Sequence, residues 1–500
     1  MATSTATRTE IALARQADHR RAIRLLFRLV YSQSRPYRAV RRGVVALGLL
    51  LVVVMPIVTL ISLPPDQFYE KDFVQPYLLG KAILNGAPLY VDINQLMRLY
   101  LGTKWAPVWP HPTPHPPSVG LLFVPISLLP YQTAVIVWLV LEIGFLAASL
   151  WLVLRVVDVR MGGRGLLVLL GFAMLWSPGF NELRYGQLML LILLLTIGSW
   201  LALKRGQPLL SGILLGFSIA VKPVTWPVAF LYLLKGHRRG LLGLGASLAA
   251  ILAVSSAIVG PSTWVDYVTH VLPEVGIAYR AYDANESLWS IGVRVFLGTG
   301  SWASPGITAP PLVTQPILAN TLSVLLPAAA LLFTAWLATR VDEMSAFALL
   351  TCVSILVSPI AWPFYRVLDI IPIAWIGSRL VAEGLPTKAT NRALFVAALL
   401  LALDPLPFLA HVIGVPRAEW GDPTVPFAQS LLSIGPTVGT VVLLWLTAYV
   451  VTHLRSRVDE RELVGVAAWA SPYRGRALGG GRTRVAVHRV VARRTRGTRE

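Results

Sequence analysis

Apolar runs recur along almost the whole of this chain, separated by short polar breaks. Gly43 to Leu63 and Leu188 to Leu203 are about long enough to cross a ~30 Å hydrocarbon core at ~1.5 Å per residue, the second only barely. Read this way, the pattern predicts twelve crossings, at 43–63, within 118–157, and at 166–178, 188–203, 209–222, 224–235, 240–260, 316–338, 345–358, 366–381, 392–413 and 429–453. Pro130 interrupts the second, so Pro117 to Leu129 is expected to form a half-helix dipping into the bilayer. The ~10-residue alternating segments of a transmembrane barrel are missing from the sequence. The expected fold is an all-α polytopic membrane protein with a long, re-entrant or amphipathic first loop.

Charge changes the picture chiefly by orienting it. The net charge of +20 could suggest a nucleic-acid binder, but residues 1–42 carry ten Arg against two acids, and residues 455–500 carry twelve Arg against four. Basic ends beside spans are what the positive-inside rule and anionic headgroups favour, so the expected partners are membrane lipids and not nucleic acid. Three regions follow: a basic cytoplasmic segment 1–42, a membrane domain 43–454, and a basic cytoplasmic tail 455–500 expected to be disordered. The N-terminus lacks the pattern of a cleavable signal peptide, and 43–63 reads as a signal anchor. With the N-terminus inside, every inner connection carries Lys or Arg, whereas the outer ones (64–117, 179–187, 261–315, 359–365, 414–428) are poor in both. Cys352 is the only cysteine, which excludes an intramolecular disulfide and a multi-cysteine metal site.

The outer level also gathers the unusual polar residues, and ionisable groups at the edge of spans are functional candidates. Asp72 lies in the first loop with Asp66, Glu70 and Asp92; it reads either as a solvated loop acid or as a general base. His111 and His115 sit in a proline-stiffened stretch, as a rigid loop or a lipid-phosphate contact. Asn181, Arg184 and Gln187 precede a Leu-rich run; the amides fit helix caps or sugar hydroxyls, and Arg184 suits an anion. Lys222, before Pro223, either snorkels to the surface or holds a phosphate. Arg366, in the stretch Ser358 to Arg366, either pairs with Asp369 three residues on or binds phosphate bidentately.

Six of these pieces stand in an order that resembles family 87 of the glycosyltransferases of GT-C fold, which includes polyprenol-phosphate-mannose-dependent α-mannosyltransferases. They are the loop acid with its tyrosines and Gly-x-Pro-x-Tyr (Asp72, Tyr77, Gly86 to Tyr90), Pro-Pro before an apolar run closed by Leu-Pro (Pro116 to Pro130), and Gly186-Gln187 before a Leu-rich span. Ala-x-Lys-Pro (Ala220 to Pro223), Asn-x-Ser-Leu (Asn285 to Leu288) and Ser-Pro-Ile-x-Trp (Ser358 to Trp362) complete the set. The resemblance spans roughly residues 68–380. It implies an inverting membrane hexosyltransferase that moves a sugar, mannose first among the candidates, from a polyprenyl-phosphate donor to a glycolipid or glycan acceptor. Asp72 matches the catalytic base. In place of the His pair often found after Ser-Pro-Ile-x-Trp stands Phe364-Tyr365-Arg366.

The leaving group of such a reaction is a lipid phosphate, which needs cations. Lys222, Arg366, His115 and Arg184 are the donor-phosphate candidates, and Tyr77, Asn181, Gln187, Asn285, Trp362 and Tyr365 the substrate-binding ones. No Asp-x-Asp motif is present, so no metal and no cofactor is expected. The rival reading is a transporter or flippase for a lipid-linked sugar, and a third is a non-catalytic scaffold. A transporter places charged sites near the midplane between repeated halves, and the sequence shows no internal repeat. The expected location is the plasma membrane, with the site extracytoplasmic and both termini inside.

Overall fold

A computed structural model of the chain describes residues 35–62, 71–102, 111–282, 284–298, 311–383, 389–402 and 435–469. Asp66, Glu70, the first 34 residues, and the segments 299–310 and 403–434 lie outside the described residues. Among the described residues the structure is helical, apart from one isolated bridge between Asp92 and Pro112.

The first half contains α1 (Arg35–Ile61), α2 (Val74–Leu84), α3 (Ile93–Leu101), α4 (Pro117–Ser127), α5 (Tyr131–Val156), α6 (Gly163–Leu175), α7 (Ser177–Tyr185), α8 (Met189–Lys204) and α9 (Pro208–Val221). A 3₁₀ turn, Pro223–Ala229, leads into α10 (Phe230–Leu234) and α11 (Arg238–Val259). After α12 (Pro261–Asp266), a π-turn Tyr267–Val271 and α13 (Leu272–Ala278), the chain forms α14 (Leu288–Leu297), α15 (Pro316–Arg340) and α16 (Glu343–Val357). A second 3₁₀ turn, Pro363–Asp369, precedes α17 (Ile370–Glu383), α18 (Ala389–Ala402) and α19 (Gly435–Trp469). The chain divides into two compact units, Met1–Val451 and Thr452–Glu500.

Among the described residues, five helices are long and apolar enough to cross a bilayer: Arg38–Ile61, Tyr131–Val156, Arg238–Val259, Pro316–Arg340 and Gly435–Thr452. A sixth is formed if α6 and α7, which meet at 76°, are one broken span. The other expected crossings that fall on described residues are shorter apolar helices or 3₁₀–helix pairs; α8, with 16 residues, reaches about 24 Å. The chain is thus a polytopic helical membrane protein, and among the described residues five or six helices satisfy the length criterion, so the twelve expected crossings are not all accounted for.

Proline and glycine set the local geometry. Pro130 is extended (ψ 144°) and separates α4 from α5, so the half-helix expected from Pro117 is a separate element. The first loop is built of helices. α2 packs on α4, where a side chain at Gly120 would come within 2.7 Å of Ile83. α3 buries Ile93, Leu96 and Met97 while Gln95, Arg98 and Leu99 face out. α9 lies between α8 and α11, and Ser199, Ser211 and Tyr232 join hydroxyls at 2.7–3.2 Å across this bundle. Such interhelical hydrogen bonds contribute roughly 0.6 kcal/mol each in membranes.

Candidate active site

The site is assembled at the junction of α7 and α8. α7 ends at Tyr185, and Gly186 takes a left-handed φ of 66° that turns the chain into Gln187. A Cβ at Gly186 would lie 2.9 Å from Phe73 Cβ, so glycine is required both by the turn and by the close approach. The Phe73 amide donates to the Tyr185 carbonyl at 3.0 Å, and Lys71 donates to the Arg184 carbonyl. Phe73 is anchored in turn among the rings of Tyr77, Phe123, Tyr131 and Trp138. Asp72, held between two tethered neighbours, has little freedom of position.

Its carboxylate faces Gln187. The Gln187 side-chain amide donates to Asp72 Oδ2 at 2.5 Å, and Gln75 donates to Oδ1 at 3.5 Å. The Gln187 side-chain oxygen accepts from Lys222 Nζ at 3.2 Å. Carboxylate, amide and ammonium therefore form one chain. Gln187 is fixed from behind as well, because Trp138 Nε1 donates to its backbone carbonyl at 3.3 Å.

Lys222 caps α9, whose continuation Pro223 prevents. Ser118 Oγ donates to the Ala220 carbonyl at 2.7 Å and ties this end to α4. The ammonium lies 4.3 Å from the centroid of the Tyr365 ring and 5.5 Å from that of Phe364, a cation–π setting that favours the charge. Burial lowers the Lys222 ammonium to about 8, and the Glu182 and Asp72 charges oppose that fall. Burial raises the Asp72 carboxyl above its ordinary range, and the Gln187 amide and the Lys222 charge oppose that rise.

The remaining candidates divide. Tyr365 is buried and forms the wall against Lys222. His115 is buried within reach of the Lys222 charge, and burial, with Lys222 and His111, holds it down at about 3. That shift favours the neutral ring over a cation at this position. Trp362 is half-buried and edge-on to Tyr279 and Tyr282 with centroids at 5.3 Å. Arg184 lies 5.6 Å over the Tyr185 ring, beside Lys71. Asn181 donates to Ser177 Oγ at 3.3 Å, within the first turn of α7.

Three candidates have structural work instead. Arg366 donates to Asp369 Oδ2 at 3.2 Å with both side chains fully buried, so the internal pair, and not a phosphate contact, describes it. Asn285 donates to the carbonyls of Tyr279 and Pro359 at 3.0 Å and accepts from the amides of Ser287 and Ala361. That exhausts an amide's usual capacity and makes Asn285 a staple between two loops, with nothing left for a sugar. Tyr77 donates its hydroxyl to the Leu129 carbonyl at 2.8 Å within the aromatic cluster, and is a packing residue.

Sequence reasoning passed over Glu182 as a site residue. It is fully buried and accepts the Leu190 amide at 3.0 Å, capping α8 from the preceding helix. An acid a few residues before a Leu-rich helix was the available signal. Lys71, beside Asp72 in the chain, was also passed over; burial lowers it to about 8.

No curated protein and no solved structure matches the chain. The profile of glycosyltransferase family 87 matches residues 114–359, a stretch that contains His115, Gln187 and Lys222. Asp72 precedes it and is bonded to it through Gln187. Over residues 114–359, just under half of its length, the chain is similar to glycosyltransferase family 87, which together with its apolar spanning helices indicates a membrane glycosyltransferase.

Proposed function

We propose that the chain transfers a sugar, with mannose the first candidate, from a polyprenyl phosphate to a hydroxyl of a glycolipid or glycan acceptor on the outer face of the plasma membrane. The observation that carries this reading is the chain from Asp72 through Gln187 to Lys222. It puts a withdrawn carboxylate and an ammonium in one bonded unit without letting them neutralise each other directly.

In this reaction Asp72 takes the proton of the acceptor hydroxyl as its oxygen attacks the anomeric carbon. The bond from that carbon to the phosphate oxygen breaks on the opposite face, and the lipid phosphate leaves with the electron pair, so the configuration inverts. Lys222 receives the developing phosphate charge, assisted by a hydrogen bond from neutral His115. Charge-assisted bonds of this kind are roughly twice as strong as neutral ones. Trp362 and Tyr365 offer ring faces to the sugar, and Asn181 and Arg184 remain candidates at the rim. A flippase would have no use for a base held this firmly.

The test is transfer by the purified protein from polyprenyl-phosphate mannose, from other polyprenyl-phosphate hexoses and from nucleotide sugars, with Asp72→Asn beside the native chain. Transfer from a lipid-linked donor, with less than about a tenth of the rate left in Asp72→Asn, is expected from a lost general base. Transfer from nucleotide sugars alone, or a higher residual rate, rejects the proposal.

A further inference from the structure

At the end of α8 remote from Gln187 lies a second feature, a cleft of about 710 Å³ lined by Trp151, Arg155, Arg160, Lys204 and Arg205, among others. α8 runs 16 residues from Met189 to Lys204, so this cleft lies about one helix length, ~24 Å, from the Asp72 site. Its size falls within the ~300–1,000 Å³ typical of ligand sites.

Its charge is one-sided. Four of the lining residues are cationic and one, Asp158, is acidic. Lys204 donates to Asp158 Oδ2 at 2.5 Å and to the Val156 carbonyl at 2.5 Å, which neutralises that carboxylate and fastens the floor of the cleft to the end of α5. The three arginines are left as a surplus. Arg155 lies 5.0 Å over the exposed Trp151 ring, which presents an aromatic surface beside the charge. Val159 and Met161 also line the cleft and are exposed.

We propose that this cleft binds the phosphate headgroup of an anionic phospholipid, with Arg155, Arg160 and Arg205 facing the phosphate and Trp151 flanking the glycerol and upper acyl region. Guanidinium forks match phosphate oxygens in pairs. Basic pockets between helices at a membrane surface recognise anionic headgroups, and tryptophan favours the headgroup level. A soluble anion would leave the exposed apolar wall unused. The site is separate from the transferase chemistry and does not depend on it.

The test is native mass spectrometry of the full chain in detergent, titrated with phosphatidylglycerol, phosphatidylcholine or glycerol phosphate. Phosphatidylglycerol should bind at least about tenfold more tightly than phosphatidylcholine, and glycerol phosphate should not displace it. Each Arg→Gln change should weaken it about fivefold, the equivalent of ~1 kcal/mol per basic residue at a membrane surface. Arg160→Gln alone, on an exposed turn, is the variant least able to disturb folding, and Arg155→Gln/Arg160→Gln/Arg205→Gln should abolish the preference. Arg238→Gln/Arg239→Gln, at the start of α11 and outside this cleft, should leave it unchanged. Equal binding of the two lipids, full retention by the triple variant, or displacement by glycerol phosphate overturns the proposal, whatever the transfer assay gives.

Discussion

A carboxylate withdrawn from water holds its proton more tightly and destabilises the fold when ionised, and Asp72 is such a group. Its carboxyl is raised by burial, so the native state holds its proton more tightly than the unfolded chain. The stability that goes with the raised value is fully present below the unfolded carboxyl range, about 3.9, and is lost as pH rises through the folded value. At neutral pH the ionised residue is thus a net cost. Asp72→Asn should abolish transfer and also raise the thermal midpoint at pH 7, with the gain shrinking toward pH 4. A lower midpoint at pH 7 would mean that Asp72 serves the fold. Gln187 and Lys222 both hold the Asp72 carboxyl down, so Gln187→Leu should move the acid limb of the rate profile to higher pH as well as slow the reaction. An unmoved limb would detach Gln187 from the base. Gln187 and Lys222 stood out in the sequence because Gly before Gln and Pro after Lys placed them at segment ends, and Asp72 because it is the loop acid in the position that the family motif marks. Arg366 and Asn285 were misread by the same logic. Position at the membrane edge did not reveal their internal partners: Arg366 pairs with Asp369, and four backbone groups engage the Asn285 amide.

At the scale of elements, the site depends on where one turn directs one side chain. Gly186 allows α7 to end against Phe73 and delivers Gln187 to Asp72. Gly186→Ala would force a β-carbon into the left-handed region and against Phe73, so the junction must shift by a few tenths of an ångström or more. Displacements of about 1 Å at a reacting group cost up to ~10²-fold in rate. Gly186→Ala is expected to lose at least tenfold in transfer while the detergent-solubilised protein stays monodisperse and helical, checked by size exclusion and circular dichroism. Full activity in this variant would show that the Gln187 contact is not rigidly specified. Helix identity was legible from apolar runs and their proline breaks, and the separation of α4 from α5 at Pro130 follows directly from them. The number of crossings was not. Apolar stretches such as α8, α9 and α16 read as spans by composition, yet they have only 14–16 residues, and α9 is capped at Lys222, where Pro223 starts a 3₁₀ turn.

For the whole molecule, the two ends of α8 define an axis: the acid–amide–ammonium unit at one end and an arginine-lined cleft at the other. A lipid-linked donor acting outside requires the first end to face out and the second to face in, which is also what the Lys and Arg bias of the connections favours. Site-directed labelling can read this directly. Cys352 is buried and is the only cysteine, so Cys352→Ser gives a background without native thiols. The first loop tempts one to place probes at Asn94 or Ser118, but both are buried, and Ser118 holds the Ala220 carbonyl. Gln95, exposed on α3, and Gln207, exposed between α8 and α9, are the better positions. In that background Gln95→Cys should react with a membrane-impermeant maleimide in intact cells, whereas Gln207→Cys should react only after permeabilisation. The reverse pattern would place Asp72 on the side where nucleotide sugars are made, and the choice of a polyprenyl-phosphate donor would then lose its physical basis.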